Sequence, residues 1–240
     1  MIRLCLVPFC TACLLLLRMP VIAQAPGRSQ SGINKFISAR DEVVFNSNGS
    51  LIGIKYSDIS GSPFWKNEFI SASLYKDHVK RGTVPVKLNF LTGEVYFQNG
   101  KDELVLDEQD INRIVFAENL DSTVFIRNVP NLFLNYKKLD AFVQVVNTGK
   151  YQLLKYTRKE LATADSGLNA RKYFFQENHH YFLKSLHKVE RIKKQQNQNL
   201  LSYLPGSNAH REWINKNHLD FSKEEDIVLY LEYYNKSLHN

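Results

Sequence analysis

Histidines, carboxylates and aromatic side chains are the residues of this chain whose types admit chemistry. The seven histidines are His78, His179, His180, His187, His210, His218 and His239. Their spacing fits neither HExxH nor a comparable metal-ligand pattern. On a strand the neighbours His179 and His180 point to opposite faces, and so do His180 and His187, an odd number of residues apart. Structural histidine is therefore the ordinary reading. For nucleophilic catalysis there is no GxSxG elbow. A serine triad drawn from separate loops would leave no linear signature. Asp102, Glu103, Asp107, Glu108 and Asp110 supply carboxylates of the kind glycosidases pair. They crowd in and around a turn, where solvated charge is the simpler explanation. No glycine-rich phosphate loop is present. The sequence thus nominates no catalytic residue, no cofactor and no metal ligand, and it reads as non-enzymatic, with a hydrolase as the remote alternative.

Aromatic residues are the better candidates for contact. Phe64 and Trp65 follow a Gly-Ser-Pro turn in GSPFWKNEF. They either tuck back over one end of a sheet or stand exposed to a ligand or partner. Trp213, Tyr230 and Tyr234, in the C-terminal segment, carry the same choice. For the two tyrosines the core reading keeps the hydroxyls at the rim.

The elements that must position these residues begin after a leader. Arg3 opens a basic n-region and Leu4 to Leu17 form an apolar run too short to span ~30 Å of bilayer comfortably. Small residues follow at Ala23 and Ala25, and cleavage after Ala23 leaves Gln24 first, so residues 1–23 read as a signal peptide. All three cysteines, Cys5, Cys10 and Cys13, fall inside it. The mature chain of 217 residues then has no disulfide, thiolate or Cys-based metal chemistry. Export without cross-links fits a bacterial envelope, periplasmic or extracellular, better than an animal extracellular space.

Residues 24–39 read as a flexible lead-in, 40–190 as an antiparallel β-domain and 191–240 as a helical subdomain. Asn48-Gly49 signals a hairpin. Val84, Val86, Leu88 and Phe90 alternate with polar residues, the pattern of a half-buried strand. Pro85 cannot donate to a ladder, so the strand is an edge there or leaves its N–H side unpaired. In LNFLTGEVYFQNGKDELVL a two-residue turn at Thr92-Gly93 would pair Phe90 with Val95 and Leu88 with Phe97. A longer loop from Asn99 to Asp102 pairs Phe97 with Leu104 and Val95 with Leu106, because a one-residue slip would invert every side chain. RIVFAE, STVFIRN, LFLNY, AFVQVVN and KYQLLKYTR continue the meander. Residues 163–170 read as a loop, with KYFFQ and HYFLKSL as two late strands. The fold class is α+β: an antiparallel, strongly curved sheet, meander or half-barrel, with C-terminal helices packed on it.

The helical end begins after Val189. RIKKQQNQNLLSYLP and NAHREWINKNH each suggest a short helix, the second with Trp213 and Ile214 on one side. FSKEEDIVLYLEYYNKSL is the clearest helix, with Ser222 and Glu225 as a capping box. Ile227, Tyr230, Leu231, Tyr234 and Leu238 form its apolar stripe. Burial of each such side chain contributes roughly 1.5–3 kcal/mol before entropy. Asn48-Gly49-Ser50 and Asn235-Lys236-Ser237 match glycosylation acceptors by triplet alone.

Without Arg3 and Arg18 the chain has 29 basic and 24 acidic residues, too mild an excess to imply nucleic acid. The charge is uneven: net +7 over residues 150–194 and net −6 over 102–121. Either these are solvated edges that resist pairing, or the basic segment faces anionic lipid headgroups or glycans.

The AQ-type leader end, GSPFW, LNFLTGEVYFQNG, YQLLKY and the closing LLSYLP, WINKN and EEDIVLYLEYYNKSL together resemble a class of small uncharacterised secreted proteins of Bacteroidota-type bacteria. The likeness covers the mature chain and is one of style and order. It implies export and a β-rich body with a helical end, and brings no catalytic residues. The expected role is an exported binding or interaction protein recognising a protein or envelope surface, with no transmembrane span after leader removal. The alternative is a carrier of lipid or another apolar ligand between sheet and helices. An open apolar space there would favour the carrier, and a space filled by Tyr230, Leu231, Tyr234 and their neighbours the interaction module.

Overall fold

Alternating apolar and polar residues, broken every few positions by turn formers, build an antiparallel sheet joined by hairpins. The computed structural model describes residues 43–45, 51–107, 110–118, 121–165, 171–193 and 197–238. The signal peptide, the lead-in, the Asn48-Gly49 turn with its acceptor triplet, Glu108 and His239 lie outside them. The strands are β1 (Val43–Phe45), β2 (Leu51–Lys55), β3 (Ile70–Lys76), β4 (Val79–Leu88), β5 (Val95–Asn99), β6 (Asp102–Val105) and β7 (Arg113–Glu118). They continue with β8 (Asp121–Ile126), β9 (Phe133–Leu134), β10 (Lys137–Lys138), β11 (Val143–Val145), β12 (Gln152–Asp165), β13 (Arg171–Lys184) and β14 (Val189–Ile192). The helices are α1 (Asn197–Ser202), α2 (Arg211–Lys216) and α3 (Glu224–Ser237).

Ten strands form one antiparallel sheet in the order β14-β13-β12-β11-β8-β7-β3-β4-β5-β6, while β1-β2 and β9-β10 are separate hairpins. The sheet is open, with β14 and β6 as its two ends, so the closure of a barrel does not occur. Nor is it a simple meander. After β6 the chain returns past the buried Ile111 to lay β7 beside β3. The return is fastened where Asn112 N–H donates to the Tyr75 carbonyl and the Asn112 side chain bonds Asp77 in the β3–β4 turn.

One face of the sheet carries most of the core. Directly paired residues share a face, and pairing links Leu74, Ile114, Phe125, Gln144, Lys155, Tyr181 and Ile192 across seven strands. At the β12–β14 end, Leu153, Tyr181, Leu183 and Ile192 pack under Ile227, Tyr230, Leu231 and Tyr234 of α3. At the other end, Leu74, Val86, Leu88, Ile114, Phe116 and Phe125 form a second cluster. Leu154 and Phe182, on the opposite face, are covered by Val129 and Leu132.

Several expectations change in detail. β4 pairs Val86 with Phe97 and Leu88 with Val95, a register two residues away from the two-residue turn. Asn89 is the cause. Its Oδ1 accepts from the N–H groups of Leu91 and Thr92, and its backbone N–H bonds Glu94, so Phe90 to Gly93 form a four-residue loop. Parity is kept, and the same side chains stay inside. The second hairpin has the expected pairing of Phe97 with Leu104, although Asn99 and Asp102 also pair, leaving Gly100-Lys101 as the turn. Pro85 sits opposite Ser71 on β3, just beyond the last β5 rung at Val86.

KYFFQ and HYFLKSL belong to one strand, not two. β12 and β13 pair without a break from Gln152–Lys184 to Asp165–Arg171, so the loop expected over 163–170 is shorter. The polar run QENHH looks like an interruption, but four of its five members meet a side chain of β12: Glu177 with Lys159, Asn178 with Glu160, His179 with Thr157 and His180 with Tyr156. β14 runs through Ile192, past the expected start of the helical subdomain. The capping box of α3 does not form. Its N-cap is Lys223 with no side-chain cap, and Asp226 reaches back to accept the Asp220 N–H instead. Leu238 is exposed rather than part of the stripe.

α3 is clipped to β12 at both ends, so the two run antiparallel. Glu224 bridges Lys155 and Tyr181. Asn235, 7% exposed, accepts from Tyr151 N–H at 2.9 Å and donates to the Tyr151 and Thr148 carbonyls. Asn147 donates to the same two carbonyls and accepts from Leu153 N–H. Gly149, at φ +120°, leaves room for this: a Cβ there would stand 2.5 Å from Asn235 Nδ2. The Asn235 side chain of the acceptor triplet is thus buried and bonded.

Asn235→Ala should lower unfolding free energy by about 1–3 kcal/mol, because it strands the buried Tyr151 N–H, while the two carbonyls keep Asn147 as a donor; equilibrium denaturation measures it, and a loss below about 0.5 kcal/mol would count against this account. The buried tyrosines give a pH signature. Burial raises the hydroxyls of Tyr181, Tyr230 and Tyr234 above their ordinary 10.0, Tyr234 up to about 12. The unfolded chain ionises them near pH ~10 while the folded chain does not, so stability complete below ~10 is lost as pH climbs toward ~12. The guanidinium midpoint should hold to pH ~9 and fall above ~10; a flat profile across that window contradicts it.

Candidate functional site

A cleft of about 350 Å³ opens among polar side chains on the sheet. Its walls are the β4–β5 loop (Leu88 to Glu94), Arg127 after β8, Leu139 to Phe142 before β11, and Tyr156 to Arg158 on β12. The loop wall is shaped by Asn89, 1% exposed, whose Oδ1 holds the turn while its buried Nδ2 has no partner among the described residues. On another wall Arg127 Nε donates to Asp140 Oδ1 at 2.7 Å. That hydrogen bond and the guanidinium charge hold the Asp140 carboxyl below its ordinary range. Arg127 also lies over the Phe142 ring, 5.9 Å from its centroid.

Beside the cleft, the β12–β13 ladder sets a hydroxyl, an imidazole, a carboxylate and an ammonium in a row. Thr157 Oγ1 lies 3.0 Å from His179 Nδ1, His179 Nε2 lies 3.1 Å from Glu177 Oε1, and Lys159 Nζ lies 3.4 Å from Glu177 Oε2. A hydroxyl held by an imidazole that is held by a carboxylate has the parts of a nucleophile relay. Strand pairing alone accounts for the contacts, since Thr157–His179 and Lys159–Glu177 are successive rungs on one face of the ladder, with Arg158–Asn178 between them on the other. Thr157 is buried as well. His180 faces the other way, as strand alternation requires. It stacks on Tyr156 and its Nδ1 meets Arg191, and burial followed by that cation lowers its pKa from 6.5.

Lys159 has a second task. Its Nζ donates to the carbonyls of Ser62 and Phe64 at 2.9 and 2.8 Å. These belong to the segment running from Ile59 to Trp65, stitched at one end to β13 by Ser60–Tyr173 and Phe175–Ser60 bonds. At its other end it meets the tail of β4, through Trp65–Leu88 and Phe90–Pro63 bonds. The backbone of Lys159 donates to the Phe90 carbonyl, closing the circuit.

The aromatic candidates fall mostly inside. Phe64 is buried, edge-on to Tyr96 with the Lys87 ammonium 4.1 Å from its ring centroid. Trp65 is partly buried against Phe116 and Phe125. Tyr230 and Tyr234 are core residues, with Tyr234 OH donating to the Pro205 carbonyl and Tyr230 OH near His210 Nδ1. Trp213 is half-buried and stacks on Tyr233 at 3.9 Å. The structure gathers Trp213, Tyr230 and Tyr234 in one cluster with His210, far from Phe64 and Trp65 in the chain's contacts. The cleft residues Asn89, Arg127, Asp140 and Thr157 were not among the sequence candidates. Asn89 before Thr-Gly carries a side-chain turn signal; Arg127 and Asp140 lie in separate loops with no linear pattern.

Among the described residues no group of three or more His, Cys, Asp and Glu is placed to hold a metal ion, and no helix is long and apolar enough to cross a membrane. No protein-family model, curated protein or solved structure matches the chain.

Lys159→Met keeps the aliphatic stem and removes the ammonium. Amide exchange across residues 60–65 should accelerate, and stability should fall by about 1.5–3 kcal/mol, the range for hydrogen bonds to charged groups. Hydrogen–deuterium exchange by mass spectrometry reads the first; unchanged protection of that segment would assign its anchoring to other contacts.

Proposed function

We propose that the chain is an exported, non-enzymatic interaction protein of the bacterial envelope, recognising a protein or a surface. The observation that carries this reading is the filled layer between sheet and helices. Ile227, Tyr230 and Leu231 are 0% exposed there and Tyr234 is 1% exposed. A carrier of an apolar ligand needs that space open. The hydrolase alternative would use the Thr157–His179–Glu177 row, whose geometry follows from strand pairing and whose hydroxyl is buried. Export is supported by the apolar leader and by the confinement of all three cysteines to it.

A rigid, bent scaffold suits such a role. The bend is supported by one crossing: β4 and β12 stand five spacings apart in the strand order, roughly 24 Å in a flat sheet at ~4.8 Å per strand. Yet Lys159 N–H reaches the Phe90 carbonyl, two residues past the end of β4, at 2.9 Å.

Native mass spectrometry of the protein recovered from its host without detergent or denaturant tests the reading. The expected chain starts at Gln24, comes from the envelope or medium, and retains no small apolar molecule. A stoichiometric lipid carried through purification would replace it with the carrier; an intact leader in the cytoplasmic fraction would remove export.

A further inference from the structure

The two most exposed large apolar side chains among the described residues, with a third, lie on two neighbouring hairpin tips, while Val79, Leu229 and Leu238 stand elsewhere. Tyr136 is 102% exposed, Leu186 78% and Phe133 51%. Tyr136 tips the β9–β10 hairpin and Phe133 begins it, while Leu186 tips the β13–β14 turn. The two tips belong together: Leu134 and Val189 pack on the same cluster, and Arg191 Nη1 of β14 donates to Asn135 Oδ1 in the hairpin turn at 3.2 Å.

The hairpin is built to present its tip. Asn135 and Tyr136 are its two turn residues, at φ +50° and +63°. A left-handed conformation is natural for asparagine and unfavourable for tyrosine. Leu134 points to the core, so Phe133 and its cross-strand partner Lys138 face outward. Lys137 is exposed beside them. On the neighbouring turn and edge strand Lys188, Arg191 and Lys193 are exposed too. Among the described residues of these two tips the acid is Glu190, half-buried. A fully exposed ring and two apolar side chains ringed by cations match a headgroup layer, where aromatic and aliphatic tips enter the interface and ammonium groups meet phosphates.

We propose that this corner docks on an anionic lipid surface, with Tyr136, Phe133 and Leu186 entering at headgroup depth. The inference rests on the interaction-protein reading and narrows its partner.

Flotation of the full chain with phosphatidylcholine vesicles, with or without about 30% phosphatidylglycerol, tests it. Binding should require the anionic lipid and weaken about tenfold as salt rises from about 0.1 M to about 1 M, where the screening length shrinks from about 10 to about 3 Å. The triple variant Phe133→Ser, Tyr136→Ser, Leu186→Ser and the pair Lys137→Glu, Lys138→Glu should each bind about tenfold more weakly with unchanged thermal unfolding. Both variants keep the same termini as the parent, so the difference reads the corner alone. Equal binding by parent and variants, or none to anionic vesicles, overturns the proposal. A protein partner seated on this corner would overturn it too, while leaving the interaction-protein reading in place.

Discussion

Asn235 ties a helix to a turn by three hydrogen bonds, and the β12–β14 half of the fold is organised around that tie. Its amide accepts from the Tyr151 N–H and shares the Thr148 and Tyr151 carbonyls with Asn147. Gly149 makes the approach possible by having no side chain at the point of contact. With the Glu224 bridge to Lys155 and Tyr181 at the opposite end, α3 is fixed in both position and direction on β12. Its apolar stripe then falls on Leu153, Tyr181 and Leu183 without freedom to slide. Polar contacts of modest individual worth set the register; the buried tyrosines and leucines supply most of the driving force.

The far half of the same face is sealed differently. Among the described residues no long helix packs on it. Trp65 packs on Phe116 and Phe125, and the segment that carries it is sewn to β13 and to the end of β4. Lys159 supplies a charged anchor for two carbonyls that strand pairing leaves unused. Partly buried cations are tolerable where several acceptors surround them, and here Glu177 adds its carboxylate.

Period-two alternation and turn chemistry made the strands, the C-terminal helices and the Phe97–Leu104 register legible in advance. Two kinds of information were missing from the linear pattern. One is side-chain bonding to nearby backbone: Asn89 lengthens the β4–β5 loop by holding Leu91 and Thr92, and Asp226 displaces Ser222 and Glu225 as the stabiliser of α3's entry. The other is partnership across strands. QENHH looks unfit for a strand interior until Lys159, Glu160 and Thr157 are set opposite it. The placement of β7 beside β3 depends on which edge offers a matching apolar row, which no local window contains. The aromatic candidates were ambiguous for a related reason, because the same Phe-Trp pair serves as core or as contact according to whether a sheet lies beneath it.

The Asn235 tie also imposes an order of events. A chain synthesised from its N-terminal end can zip the β3–β6 and β7–β8 hairpins as they emerge, since their partners are close in sequence. The Tyr151 N–H of the 147–153 turn gains its acceptor only when a residue 84 positions further on has arrived. The β12–β14 half of the sheet therefore waits, with its apolar face uncovered, through the synthesis of just over a third of the chain. That interval is when a holding chaperone would have most to bind.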